Sequence, residues 1–145
     1  MTTLLDTSVW IPYLRSRRYA ATVDPLIAAG NVMMHSIVLL ELYAGTQNAA
    51  DKRAIDTIAD SARRLEQLVH PTEEDFCLSG KILAYQSRLV GRLRPQNHSH
   101  DLLLAIGAAR SGSALLTNNQ SDMDRWADAL SRRAQLRVLV LRPGI

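Results

Sequence analysis

One cysteine, Cys77, occurs in the 145 residues. A lone thiol excludes an internal disulfide framework and any zinc site built from cysteines. Lysine is almost as scarce: only Lys52 and Lys81 are present, so arginine carries the basic side. No apolar run approaches the roughly 18 residues that cross a bilayer. The N-terminus lacks a basic stretch followed by an apolar one, so it does not read as a signal peptide. Repeats and low-complexity tracts are missing. "GSALLTNN" lacks the Gly-Lys pair of a phosphate loop. Ser8 and Ser36 have no credible His–Asp partnership, which argues against a serine hydrolase. Asp6 is followed by Thr7 and Ser8 rather than by a second acid, so it does not begin the D-x-D of a phosphotransfer site.

What remains is an ordinary globular balance, 47% apolar and 21% charged. The length suits one domain with its own core, and a cytoplasmic home is the simple expectation. Net charge is +3. Arginine suits bidentate phosphate contact and base stacking, so the balance is compatible with a nucleic-acid partner, or simply with a solvated basic surface.

Short apolar runs alternate with helical patterns. Strands are expected at Thr3 to Leu5, "VMMH", "QLVHP", "ALLT" and "LRVLVL". "SVWIPYLRS" reads as a helix with Pro12 in its first turn. "ATVDPLIAAG" reads as a second, with Asp24 and Pro25 as cap and first-turn pair and Gly30 as its stop. "SIVLLELYAG" has Ser36 as N-cap and Gly45 as stop. A helix follows from Asp51 to Leu65. A long one runs through "TEEDFCLSGKILAYQSRLVGRLR", opened by a capping box of Thr72 and Asp75. "NHSH" reads as a loop, and "DLLLAIGAARSG" as an apolar helix ended by Gly112. The alternation predicts an α/β domain: a three-layer α/β/α sandwich around a mostly parallel sheet of about five strands. In such sheets ligands sit at the carboxyl ends of the strands.

The acids are placed oddly for such a chain. Asp6 ends the first strand, where a helix cap is a sufficient local reason for it. Glu41 sits among Val38, Leu39, Leu40 and Leu42 on a helix that is apolar nearly all round. A carboxylate buried there is costly unless paired, hydrogen-bonded or metal-bound; reaching the surface or an arginine is the alternative. Asp101 opens an apolar helix, where capping again suffices. Asp122 and Asp124 follow the fourth strand, and either serves as a cap or first-turn acid. Together they suggest more. If these ends meet at one sheet edge, four carboxylates converge, and like charges need compensation. A hard divalent cation such as Mg²⁺ supplies it and can activate water against a phosphodiester. His98 and His100 read as loop residues, with an auxiliary role at phosphate or metal as the alternative. His35 and His70 read as structural.

"LLDTSVWI", "SIVLLELYAG", "HDLLLAIGAARSG" and "ALLTNNQSDM" resemble, in order and spacing, the four blocks of the PIN-domain family, with the nearest look that of the VapC-type toxins of bacterial toxin–antitoxin pairs. The resemblance covers nearly the whole chain. It implies a Mg²⁺- or Mn²⁺-dependent ribonuclease site in which Asp6, Glu41 and Asp101 are the first three acids. "TNNQSDM" fits the T-x-N-x-x-D-F form, so Asn119 takes the amide position and Asp122 the fourth acid, with Asp124 its possible substitute. Ser8 and Thr117 match supporting polar positions. Met123 replaces the usual aromatic, and "AIGAA" departs from the family's Ala-rich helix. The resemblance also implies an RNA substrate, a cognate antitoxin and a homodimer, for which Leu102, Ile106, Leu40 and Tyr43 offer an apolar face. A module that keeps the fold, binds RNA or protein and does not cut is the rival expectation. Specificity for the RNA is expected on the arginine surface around Arg15, Arg17 and Arg18.

Overall fold

The structure, a computed structural model, describes residues 1–91 and 94–144, with the backbone alone for 95–97. The elements run β1 (Thr3–Leu5), α1 (Thr7–Ser16), α2 (Ala20–Ala28), β2 (Val32–His35), α3 (Ser36–Ala44), α4 (Ala49–Arg64), β3 (Leu68–Val69), α5 (Glu73–Val90), α6 (Pro95–Arg110), β4 (Ala114–Leu116), α7 (Gln120–Ala134) and β5 (Val140–Leu141).

The five strands form one sheet in the order β3-β2-β1-β4-β5, every pair parallel. Parallel neighbours need crossovers, and crossovers are right-handed. Moving from β1 to β2 to β3 therefore lays α1 to α4 on one face. The return past β1 to β4 and β5 lays α5 to α7 on the other. The helix contacts agree: α1 meets α3 and α3 meets α4, while α5, α6 and α7 meet one another. The expected three layers are present. The direction reverses between β1 and β4, and the crevice at such a switch point is where open α/β sheets bind ligands. Both central strands are buried along their length. Leu4, Leu5, Leu115, Leu102, Ile106 and Trp126 fill the core around them. Among the described residues no helix is long and apolar enough to cross a membrane.

Several local expectations are corrected. His35, not Ser36, caps α3, its Nδ1 accepting the Ile37 N–H at 3.0 Å. Asp24 and Pro25 lie inside α2, whose N-cap is Tyr19; Asp24 accepts from the Tyr13 hydroxyl and pairs with Arg17. Pro12 falls in the second turn of α1, because the helix starts at Thr7. "NHSH" is helical, since α6 begins at Pro95, and proline is well suited to a first helical position. The capping box at Thr72 and Asp75 forms as expected. Its helix ends at Val90, short of the expected run to Arg94, because Gly91 leaves the helical conformation at φ 92°; residues 92–93 lie outside the described residues. The apolar face suggested for a dimer divides. Leu102 and Ile106 are core, Leu40 is 58% exposed, and the Tyr43 hydroxyl donates to Asp56.

Candidate active site at the switch point

Asp6 occupies the N-cap position of α1, yet its side chain makes no cap hydrogen bond. Its Oδ2 instead accepts from Ser8 Oγ at 2.9 Å and Thr117 Oγ1 at 2.7 Å. The hydroxyls are oriented from behind. The Asn118 N–H donates to Ser8 Oγ at 3.0 Å, and the Asn119 N–H to Thr117 Oγ1 at 2.9 Å. A backbone N–H can only donate, so it takes a lone pair and leaves each hydroxyl's single proton for the carboxylate. Asp6 is buried, and Oδ1 receives no hydrogen bond among the described residues.

Glu41 reaches the same edge from α3. Its Oε1 accepts from Thr7 Oγ1 at 3.0 Å, and its Oε2 lies 4.0 Å from His100 Nδ1. Glu41 is half-buried and has no arginine partner among the described residues. Asp101 stands in the second turn of α6, too deep in the helix for a cap. Burial raises its carboxyl pKa, and Asp6, Glu41 and Asp122 raise it further, to about 6, against a smaller opposing pull from His100. Asp122, in the first turn of α7, is 3.6 Å from Arg125. Asp124 is not among the acids that act on Asp101. It lines a neighbouring polar cavity of about 250 Å³ with Asn118, Gln120, Ser121 and Arg142. The structure thus brings Asp6, Glu41, Asp101 and Asp122 into one electrostatic neighbourhood and sets Asp124 beside it. His100 belongs to its rim, whereas His98 packs on Trp126, ring centroids 5.5 Å apart.

Three residues were not singled out for the site from the sequence. Thr7 donates to Glu41, and Asn118 and Tyr19 stand behind Ser8. Thr7 had a readable signal, since a hydroxyl beside Asp6 at a helix start can face the same crevice. Asn118 looks like a turn residue, and Tyr19 lies outside every acidic block.

The donor set is all carboxylate oxygen, which suits a hard divalent cation, and after burial the neighbouring acids add to the upward push on Asp101. Among the described residues no three His, Cys, Asp or Glu side chains stand close enough to hold an ion as placed. Holding one would require side-chain rotation, for which the exposed Asp122 and half-buried Glu41 have room.

Fold and site define a parallel α/β domain with a carboxylate-centred site at its switch point. The PIN domain matches residues 3–129, and the chain belongs to the PIN domain family. Solved structures of similar shape include VapBC-1 from nontypeable Haemophilus influenzae, 25% identical with a TM-score of 0.66, covering 98% of each chain. FitAcB from Neisseria gonorrhoeae is 22% identical with a TM-score of 0.68, again over 98% of each chain. DNA-bound VapBC from Salmonella typhimurium is 19% identical with a TM-score of 0.68, over 99% of each. No curated protein sequence matches the chain.

Proposed function

We propose that the protein is a metal-dependent endoribonuclease, the toxin of a type II toxin–antitoxin pair acting in the cytoplasm. The observation that carries this reading is the placement of Asp6, Glu41, Asp101 and Asp122 around the switch-point crevice of a PIN domain, near enough for the first, second and fourth to act on the Asp101 carboxyl. Such an arrangement of like charges at a ligand-binding crevice calls for a cation. Asp6, Glu41, Asp101 and Asp122 would hold Mg²⁺, or Mn²⁺ in its place. Bound there, the ion supplies Lewis acidity, an activated water and charge neutralisation at a phosphodiester. The chain's own residues do the rest. Ser8 and Thr117 aim Asp6, Thr7 aims Glu41, Asn119 holds the Thr117 hydroxyl, and Arg142 and Arg125 offer cations beside the acids to an RNA backbone.

The partner in this reading is a cognate antitoxin, in keeping with the VapBC and FitAcB complexes of similar fold. A homodimer belongs to the same proposal, and Leu40 is a large exposed apolar residue of α3 available to it. A monomer by light scattering at micromolar concentration overturns the dimer.

Purified protein incubated with total RNA and Mg²⁺ tests the activity. Cleavage is expected in Mg²⁺ and none in EDTA. Asp6→Asn should lower it by at least about a hundredfold without unfolding the protein. An Asp6→Asn variant as active as wild type sinks the mechanism. RNA binding with no cleavage by wild type favours the non-cutting module instead.

A further inference from the structure

Asn118 makes three hydrogen bonds that the acids alone do not require. Its N–H donates to Ser8 Oγ at 3.0 Å, its Nδ2 donates to the Ser8 carbonyl at 2.7 Å, and its Oδ1 accepts from Tyr19 Oη at 3.1 Å. The Ser8 carbonyl is open to it for a reason written in the sequence. In an α-helix it would accept from residue 12, but residue 12 is proline and has no N–H. Pro12 creates an acceptor inside α1, and the Asn118 side chain fills it.

Tyr19 is held in place from the other side. It has φ 65°, a left-handed conformation uncommon for a bulky residue and costing on the order of 1 kcal/mol. Its ring is buried in the core cluster, so packing fixes where the hydroxyl points. A strained backbone, a buried ring and a single directed hydroxyl all end on Asn118.

From this we infer that Asn118 and Tyr19 are positioning residues. They clamp Ser8 at both its carbonyl and its hydroxyl, and through Ser8 they fix Asp6 with Oδ2 occupied and Oδ1 presented to the crevice. The inference rests on the reading of Asp6 as a site carboxylate. It adds the α1–α2 corner to the site.

Tyr19→Phe keeps the ring and removes the hydroxyl. Amide hydrogen exchange, Mn²⁺ calorimetry and RNA cleavage then read three levels of the linkage. The Asn118 N–H is expected to lose protection. Mn²⁺ affinity should fall by about tenfold, and kcat should fall with KM for RNA unchanged. Asn118→Ala keeps the N–H but removes the side-chain bonds to the Ser8 carbonyl and to Tyr19; its effect on Mn²⁺ affinity should have the same direction and vanish in a Ser8→Ala background, because the clamp reaches Asp6 only through the Ser8 hydroxyl. Unchanged Asn118 exchange in Tyr19→Phe overturns the proposal. So does full additivity with Ser8→Ala, or a lowered Tm with Mn²⁺ affinity and kcat intact. If wild type neither binds Mn²⁺ nor cuts RNA, the nuclease reading fails and the exchange data alone decide the clamp.

Discussion

At Asp101 the demands of folding and of the site oppose each other. The unfolded chain ionises this carboxyl near 3.8, and the folded one near 6. Between those values the folded state binds more protons, so the contribution favours folding below about pH 4 and is lost as pH rises through 6. Asp101→Asn removes the charge that burial and three neighbouring acids disfavour. Its Tm should exceed wild type by roughly 3–6 °C at pH 7.5, and the gain should disappear near pH 4. Calorimetry at the two pH values measures it, and RNA cleavage should be lost in the same variant. Equal gains at both pH values mean that the acids do not crowd Asp101. Asp6 shows the opposite economy. Its local excuse as a cap is not used, and its oxygen goes to two hydroxyls instead.

Between elements, α6 lies tight against the end of β2 at Gly107. A Cβ built on Gly107 would stand 2.6 Å from Cδ2 and 2.8 Å from Nε2 of His35, whose ring is fully buried and cannot retreat. This is the physical reason that the "AIGAA" stretch breaks its alanines. Alanine is the better helix former by about 1 kcal/mol, but overpacking costs about 1–3 kcal/mol. Gly107→Ala should therefore destabilise the protein by up to about 2 kcal/mol in urea titration; a stabilised variant would show that the imidazole yields. The same ring marks a limit of sequence reading. Ser36 is the obvious cap, whereas an imidazole accepts only in the tautomer that its surroundings select, and those surroundings come from tertiary packing. Helix α6 taught a similar lesson. Its apolar run from Asp101 was legible, but the polar turn before it, carrying His98 and His100, reads as loop until α7 and Glu41 are in place beside it. The five strands were legible as apolar runs, and the order of the elements supplied the expectation that the acids approach one sheet edge. Ser8 and Thr117 were expected as supporting hydroxyls from the resemblance, but Asn118 and Tyr19 behind them were not, because the hydrogen bonds that place them join residues about a hundred positions apart.

For the whole molecule, the proposed cation held by Asp6, Glu41, Asp101 and Asp122 would tie both helical layers to the central strands, so binding should register as stability. Millimolar Mg²⁺ or Mn²⁺ should raise Tm by several degrees over EDTA in wild type and not in Asp6→Asn. Equal melting curves in metal and chelator would remove the cation from the account. The parallel pairing of β1 with β4 has one more consequence. Asp6 and Thr117 meet across 111 residues of chain, and Asp122 comes later still. During synthesis the first carboxylate leaves the ribosome long before the strand that aims it exists. Contacts of such long range form late, and no shorter fragment contains the crevice. A chain that stops short of β4 thus carries Asp6, Glu41 and Asp101 without Thr117 to aim the first of them and without Asp122, and the crevice forms only once α7 has been made.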